Sequence, residues 1–360
     1  MKNDLLLVGS VPLETAPEVL EMCGHSLGTH LPCIPDGETG DRFYWIQVLA
    51  YRVFHGHPDI ETVKRPASVN GVEVTIPKTK EDSWQFKVRD GVNKVIFGDP
   101  GWRLGYAKDA CLSYYVFKTL RDQGKIPKGT RFQVSLPLPN SAVDFFFMTD
   151  PRGRDLVRAA YEDAIRAEIA KMIEKIPPED LCIQWDECVE TMDVEGFFEA
   201  KTPVAQRVAR HVGQIERLSP HIPESVMLGY HFCYGTLGGW PMLTPKDLSA
   251  TVMLVNETVA HSGRRVDYVH IPILDTADDT YLKPLKDLKV GGAAIYYGAI
   301  HGMDDEAKFK ERLRLLKKYS PKADFGLASY CGLGRHQAEE IPGVLKEHLR
   351  ASQILHEAAA

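Results

Sequence analysis

The stretch Val226–Cys233 reads VMLGYHFC, a short apolar run that ends on an imidazole and a thiol two positions apart. A run of this length, rich in strand-forming residues, suits a β-strand covered on both faces. Seven more such runs share the chain: Leu5–Pro12, Cys33–Gly37, Phe132–Pro137, Leu181–Glu187, Val266–Leu274, Ala293–Ile300 and Asp324–Cys331. Stretches of helical period lie between them. Residues 155–176 put Leu156, Ala160, Ile165, Ile169, Met172 and Ile176 on one broad face before Pro177 and Pro178 stop the helix. Thr202-Pro203 and Thr244-Pro245 each offer an N-cap followed by proline at the first turn, and Thr15 and Glu18 have capping-box spacing. Eight strands alternating with helices predict an α/β fold, a (β/α)8 TIM barrel. The alternative, an open doubly wound sheet, lacks support: no GxGxxG follows a strand, and Gly124–Thr130 imitates a phosphate loop without its Lys-Ser/Thr pair.

The chain has 360 residues and such a barrel needs about 250. The surplus is expected at residues 58–103, a β-rich insertion between the second and third strands of a single barrel domain spanning 1–360. Extended pieces there are Glu73–Ile76, Trp84–Val88 and Lys94–Phe97, with turn dipeptides at Asn70-Gly71 and Asp90-Gly91. The excursion is expected to cover the mouth of the barrel. A net charge of −6 argues against a nucleic-acid partner, because phosphate recognition wants a basic face. No segment reaches the roughly 18 apolar residues of a membrane span. The early run Leu5–Val8 reads as a buried strand and not as a leader peptide. Seven cysteines without a CxxC pair fit a reducing, cytoplasmic setting.

In a strand, residues i and i+2 face the same way, so His231 and Cys233 can meet one metal ion at the C-terminal rim, where barrel enzymes keep their sites. Cys331 ends the eighth run in the segment SYCGLG (residues 329–334), whose glycines permit close backbone approach. Imidazole and two thiolates are suitable ligands for tetrahedral zinc.

The order of rim motifs resembles the C-terminal, catalytic barrel of cobalamin-independent methionine synthase, within the superfamily that includes uroporphyrinogen decarboxylase. The motifs are Val8-Gly9-Ser10, Asp36-Gly37-Glu38, Gln184-Trp185-Asp186-Glu187, His231-Phe232-Cys233-Tyr234, Ile300-His301 and Tyr330-Cys331-Gly332-Leu333. They run in order along nearly the whole chain but are short. The decarboxylase's arginine-rich N-terminal motif is absent. The resemblance implies zinc on His231, Cys233 and Cys331, and an amino-acid acceptor held by Gly9, Ser10, Glu38 and Asp186. It also implies a proton-handling role for His301. The family's fourth ligand, a glutamate on the sixth strand, is replaced near Pro272; His270, Asp275 or water could stand in. The second barrel that helps bind folate is missing, which makes a corrinoid protein or another alkyl donor the expected partner.

Three functions follow as expectations. The first is a zinc-dependent alkyl- or methyltransferase acting on a small-molecule thiol or amino acid, with a metal-held thiolate as nucleophile. The second is a zinc-dependent lyase or hydrolase of a small, aromatic substrate, and the third a ligand-binding barrel without catalysis. Trp45, Trp84, Trp102 and Trp240 fall near rim loops and suggest an apolar or aromatic pocket, with Trp240 in contact with substrate. Phe145–Phe147 read as core beneath the helix layer, as does Trp185. Cys23, Cys111, Cys182 and Cys188 read as buried structural thiols. His25, His30, His55 and His57 have no ligand spacing and read as structural.

Overall fold

Strand pairing in the computed structural model, which describes residues 2–79, 81–98, 101–198, 200–303 and 305–357, builds the expected parallel barrel. Its strands are β1 (Leu5–Leu6), β2 (Cys33–Pro35), β5 (Arg131–Pro137), β6 (Leu181–Glu187), β7 (Met227–Phe232), β8 (Tyr268–Pro272), β9 (Ala294–Ile300) and β10 (Gly326–Ser329). Each falls within or against one of the apolar runs, because a parallel strand buried on both faces needs apolar residues throughout. The ladder order is β1-β10-β9-β8-β7-β6-β5-β2, all parallel. Only Leu5 and Leu6 of the first run join the ladder.

The seam between β1 and β2 is joined differently. Leu5 N donates to His30 O at 3.2 Å and Val11 N to Gly37 O at 3.0 Å. From inside the barrel, the side-chain amides of Gln133 and Gln184 both donate to Val8 O, at 2.9 and 2.6 Å. Period-2 alternation along β6 sends Cys182, Gln184 and Asp186 inward and leaves Trp185 in the apolar layer under the helices. The interior is unusually polar for such a barrel. Tyr268 donates to Gln184 Oε1 at 2.9 Å, and Gly229 makes room for its ring: a Cβ there would sit 2.0 Å from Tyr268 Cζ.

The helices confirm most of the start signals. Thr15 N donates to Glu18 Oε2 at 2.9 Å at the head of Ala16–Leu27. The helix expected at 155–176 is Pro151–Lys175, and Thr202-Pro203 leads into Val204–Leu218. Thr244-Pro245 does not open a helix: Ser249–His261 begins later, where Asp247 Oδ1 accepts from Ser249 N at 2.8 Å.

Between β2 and β5 lies an antiparallel hairpin, β3 (Ile60–Lys64) with β4 (Gln85–Val88). Asn70 and Gly71 both have positive φ, 51° and 77°, as their turn requires. Glu73–Ile76 and Lys94–Phe97 are not strands; of the expected pieces only Trp84–Val88 holds one, β4, which pairs with Ile60–Lys64. Phe86 packs on Phe54 (ring centroids 5.7 Å apart) and Phe147 (5.8 Å), which ties the hairpin to the barrel. Among the described residues no helix is long and apolar enough to cross a membrane.

Candidate metal centre and substrate cavity

β7 carries His231 inward, and the chain continues through Phe232 to Cys233 on the same side. The end of β10 brings Cys331 against both. Cys233 Sγ lies 3.4 Å from Cys331 Sγ, and Cys331 Sγ lies 3.8 Å from His231 Nε2. All three donor atoms fall within 4.8 Å of one another. A tetrahedral zinc with bonds of about 2.3 Å to sulfur and 2.0–2.1 Å to nitrogen would separate two sulfurs by about 3.8 Å and sulfur from nitrogen by about 3.6 Å. The two separations that involve Cys331 match that tetrahedron to within about 0.4 Å, and the three donors together lie close enough to share one ion.

The surrounding backbone is shaped for the site. Gly235, at φ 75°, donates its N–H to Cys233 Sγ at 3.3 Å, and a Cβ on it would meet Met242 Sδ at 2.7 Å. Cβ atoms on Gly332 and Gly334 would lie 3.0 Å from Ser10 N and 3.1 Å from Ser10 Cβ, while Leu333 N donates to Ser10 O at 2.7 Å. The glycines after Cys331 thus let that loop press against Ser10 and hold two rim segments together.

Metal-free, the thiols are poor acids. Cys233 is pushed well up by its neighbour Cys188 and by burial, and Cys331 by its contact with Cys233 and by burial. Burial also holds His231 well below the usual imidazole range and lowers His270 to about 4. A bound divalent cation would reverse the thiol tendency, because a coordinating thiol loses its proton.

Above the cluster opens a cavity of about 970 Å³, measured out to its mouth. Glu38, Asp186, Cys188 and the three donors line it together with Gly9 and Ser10. Ser10 Oγ donates to Glu38 Oε2 at 2.5 Å, and Gln184 Nε2 donates to Asp186 Oδ1 at 2.9 Å. Burial raises Glu38 to about 7, and burial with the charge of Glu38 raises Asp186 well above the carboxylate range. Glu38 holds φ 53°, a costly conformation for a non-glycine residue, fixed by its N–H donating to Asp36 Oδ1 at 3.0 Å. Arg42 anchors the other oxygen of Asp36 at 2.7 Å.

His301 and Trp240 are placed beside this cavity and not on its wall. His301 stacks on Tyr330 (5.0 Å between centroids, 15° between planes), and Trp240 packs on the same tyrosine at 4.3 Å. His301 Nε2 donates to Ile273 O at 2.6 Å, and burial lowers the ring to about 4. Trp240, expected to contact substrate, lies in a stack behind Cys331 and is not among the residues that line the cavity. Of the other tryptophans only Trp45 lines the cavity; Trp84 is core of the hairpin, stacked on Phe86, and Trp102 packs on His57.

His270 does not face the cluster as a fourth donor, since both of its nitrogens are engaged elsewhere. Asp275 is held by Arg312 at 2.5 Å and by Lys308.

Apart from Trp45, several lining residues were not marked by the sequence. The segment 40–54, a short 3-10 turn running into a π-helical stretch at Ala50–Phe54, supplies Phe43, Tyr44, Trp45, Ile46 and Gln47. Cys188, expected to be inert core, lines the cavity beside Cys233. Phe145 points into the cavity, whereas Phe146 and Phe147 pack on Phe54 as expected. A π stretch, with His55 N bonded to Ala50 O, follows the lining residues 43–47 in the chain.

A buried imidazole–dithiol cluster at the C-terminal rim of a parallel barrel defines a candidate metal-dependent (β/α)8 protein. No protein-family model and no curated sequence matches the chain. Among solved structures it is similar to a B12-independent methionine synthase from Shewanella sp. W3-18-1 in complex with selenomethionine. That likeness has a TM-score of 0.62 and 13% identity over 100% of this chain and 99% of that one. It is also similar to a putative vitamin-B12-independent methionine synthase from Listeria monocytogenes, with a TM-score of 0.55 and 13% identity over 95% and 86% of the two chains. At this identity the likeness shows the fold, and it is the fold that the rim motifs led one to expect.

Proposed function

We propose that the protein is a zinc-dependent methyl- or alkyltransferase acting on a small thiol, with His231, Cys233 and Cys331 as the protein's zinc ligands. The observation that carries this is the clustering of those three donors within 4.8 Å of one another under an open cavity. A site with three protein ligands and one open corner is the arrangement of catalytic zinc, whereas structural zinc has four. His231, Cys233 and Cys331 would hold the zinc, which when bound would supply a lowered thiol pKa; a substrate thiolate would then form its bond to the alkyl carbon as the donor departs with the electron pair of the broken bond.

The chain's own residues do the rest. Glu38 and Asp186 are desolvated carboxyls; Arg42, the cation acting on Glu38, is hydrogen-bonded to Asp36, and an ammonium group on the substrate would supply a charge inside the cavity. Ser10 and Gln184 aim them. Ile76, Phe145, Val189, Met192, Leu237 and Met242 form apolar walls that exclude water from a reacting sulfur. His301 lies behind Tyr330, stacked on its ring and bonded to the Ile273 carbonyl, and is not among the groups that face the cavity. The selenomethionine complex of the Shewanella barrel supports a methyl-chalcogen amino acid as the kind of molecule such a cavity accepts.

Zinc analysis of protein purified with its thiols reduced should give about one ion per chain. X-ray absorption should report two sulfur ligands plus nitrogen or oxygen, and one more sulfur after homocysteine is added. Protein that stays metal-free after zinc-replete expression overturns the proposal. Zinc whose coordination ignores every thiol tested overturns the transfer reaction and favours a zinc lyase or hydrolase.

A further inference from the structure

Register pairs His231 of β7 directly with His270 of β8, and both side chains point into the barrel. His231 Nδ1 lies 2.8 Å from His270 Nδ1, and His270 Nε2 lies 3.0 Å from the carbonyl oxygen of Ser329. A carbonyl only accepts, so the proton at that end belongs to His270 Nε2. Two N–H groups cannot face each other at 2.8 Å. Both rings are buried, at 4% and 0% exposure, and a charged imidazolium in that setting is disfavoured. Neutral His270, with its proton on Nε2, therefore offers a bare Nδ1, and the shared proton sits on His231 Nδ1. His231 Nε2, the atom that faces Cys331 Sγ, keeps its lone pair.

We propose that His270 is a positioning residue: anchored on the Ser329 carbonyl, it fixes His231 as the Nδ1–H tautomer and so presents Nε2 as a donor. The anchor is tight. A Cβ at Gly298 would lie 2.8 Å from His270 Nε2 and 2.9 Å from Tyr330 Cα, so only glycine leaves His270 its place. Ser329 precedes Tyr330 and Cys331, so the anchor also ties the strand that carries one donor to the ring behind another. With both nitrogens committed, His270 is excluded as a fourth ligand, and that corner is left to the cavity. The value of the tautomer for metal binding rests on the proposed ligand set; the tautomer itself does not.

The two are separable by experiment. In zinc-free, reduced full-length protein labelled with 15N-histidine, long-range 15N–1H correlations identify the protonated nitrogen of each ring. The expected result is Nδ1–H for His231 and Nε2–H for His270. His270→Asn places an amide oxygen near the former Nδ1 acceptor and should keep the His231 tautomer; His270→Leu removes the acceptor and should shift His231 toward Nε2–H. Zinc affinity, measured by chelator competition, should fall about 10- to 100-fold in His270→Leu and recover most of the loss in His270→Asn. Should His270→Leu fail to fold, the wild-type spectrum and His270→Asn still decide. An Nε2–H tautomer for His231 in the wild type overturns the proposal, as does equal loss of zinc in the two folded variants. The expected tautomers in a protein that binds no zinc would sustain the relay and overturn the zinc reading instead.

Discussion

Replacing Glu38 with glutamine removes a charge that the cavity holds against the interest of the fold. Burial raises this carboxyl from 4.5 to about 7. The folded protein therefore keeps the proton to higher pH than the unfolded chain does. Between those two values the folded state binds more protons, so stability falls as pH rises, and the loss is complete above about pH 7. At 1.36 kcal/mol per factor of ten, the ionised form destabilises the fold by about 3 kcal/mol at pH 8 and by under about 1 kcal/mol at pH 5. Glutamine keeps an oxygen to accept from the Ser10 hydroxyl and carries no charge. Glu38→Gln should thus be more stable than the wild type by about 3 kcal/mol at pH 8, with the advantage nearly gone at pH 5. Urea unfolding of both proteins, followed by circular dichroism at pH 5, 6, 7 and 8, reads this directly. A variant no more stable at pH 8, or a difference that does not change with pH, would show that Glu38 is an ordinary solvated carboxylate. The stabilised variant should bind an amino thiol more weakly, the usual exchange of function for stability at a binding site.

Other residues give sharper structural tests. Cys331→Ser should abolish stoichiometric zinc binding while the circular dichroism spectrum stays that of the barrel; retained zinc would remove Cys331 from the ligand set. Gly229→Ala forces a methyl group to within 2.0 Å of the Tyr268 ring, which its bond to Gln184 holds in place, and should cost about 3 kcal/mol or more in chemical denaturation. Asp4 is buried, yet hydrogen bonds from Ser352, His356 and His30 hold it below the ordinary carboxylate value. That contribution is present above the unfolded pKa and is lost as pH falls through the folded one, so Asp4→Asn should narrow the stability gap to wild type at acid pH. Amide exchange in the last helix, Ile341–Glu357, should rise in that variant and stay unchanged elsewhere.

How far the site could be read from the sequence depends on how local each feature is. The eight strand runs were legible because a doubly buried strand must be apolar along its length, and β6 could be divided into inward and outward faces because its period is two. Hairpin strands were harder. Ile60–Lys64 is a half-exposed edge with mixed residues, whereas Glu73–Ile76 has strand-like composition but no partner to pair with. The aromatic residues were ambiguous for a related reason: Phe145 and Phe146 are neighbours in sequence, and only packing decides that one faces the cavity and the other Phe54.

The sequence by itself determined the eight strand runs along the chain, the shared face of His231 and Cys233 and the strand-end position of Cys331. These follow from side-chain alternation and from strands that need apolar residues on both faces. Only the tertiary structure decided what those groups do to one another. Cys331 reaches Cys233 across 98 residues because the barrel curves the ends of β7 and β10, three places apart in the ladder, toward each other at its mouth. His270 stands behind His231, and not beside it as a ligand, because parallel register and the Ser329 carbonyl set the direction of both its hydrogen bonds. Direction of that kind is fixed by packing among strands far apart in the chain, and no local pattern of residues encodes it.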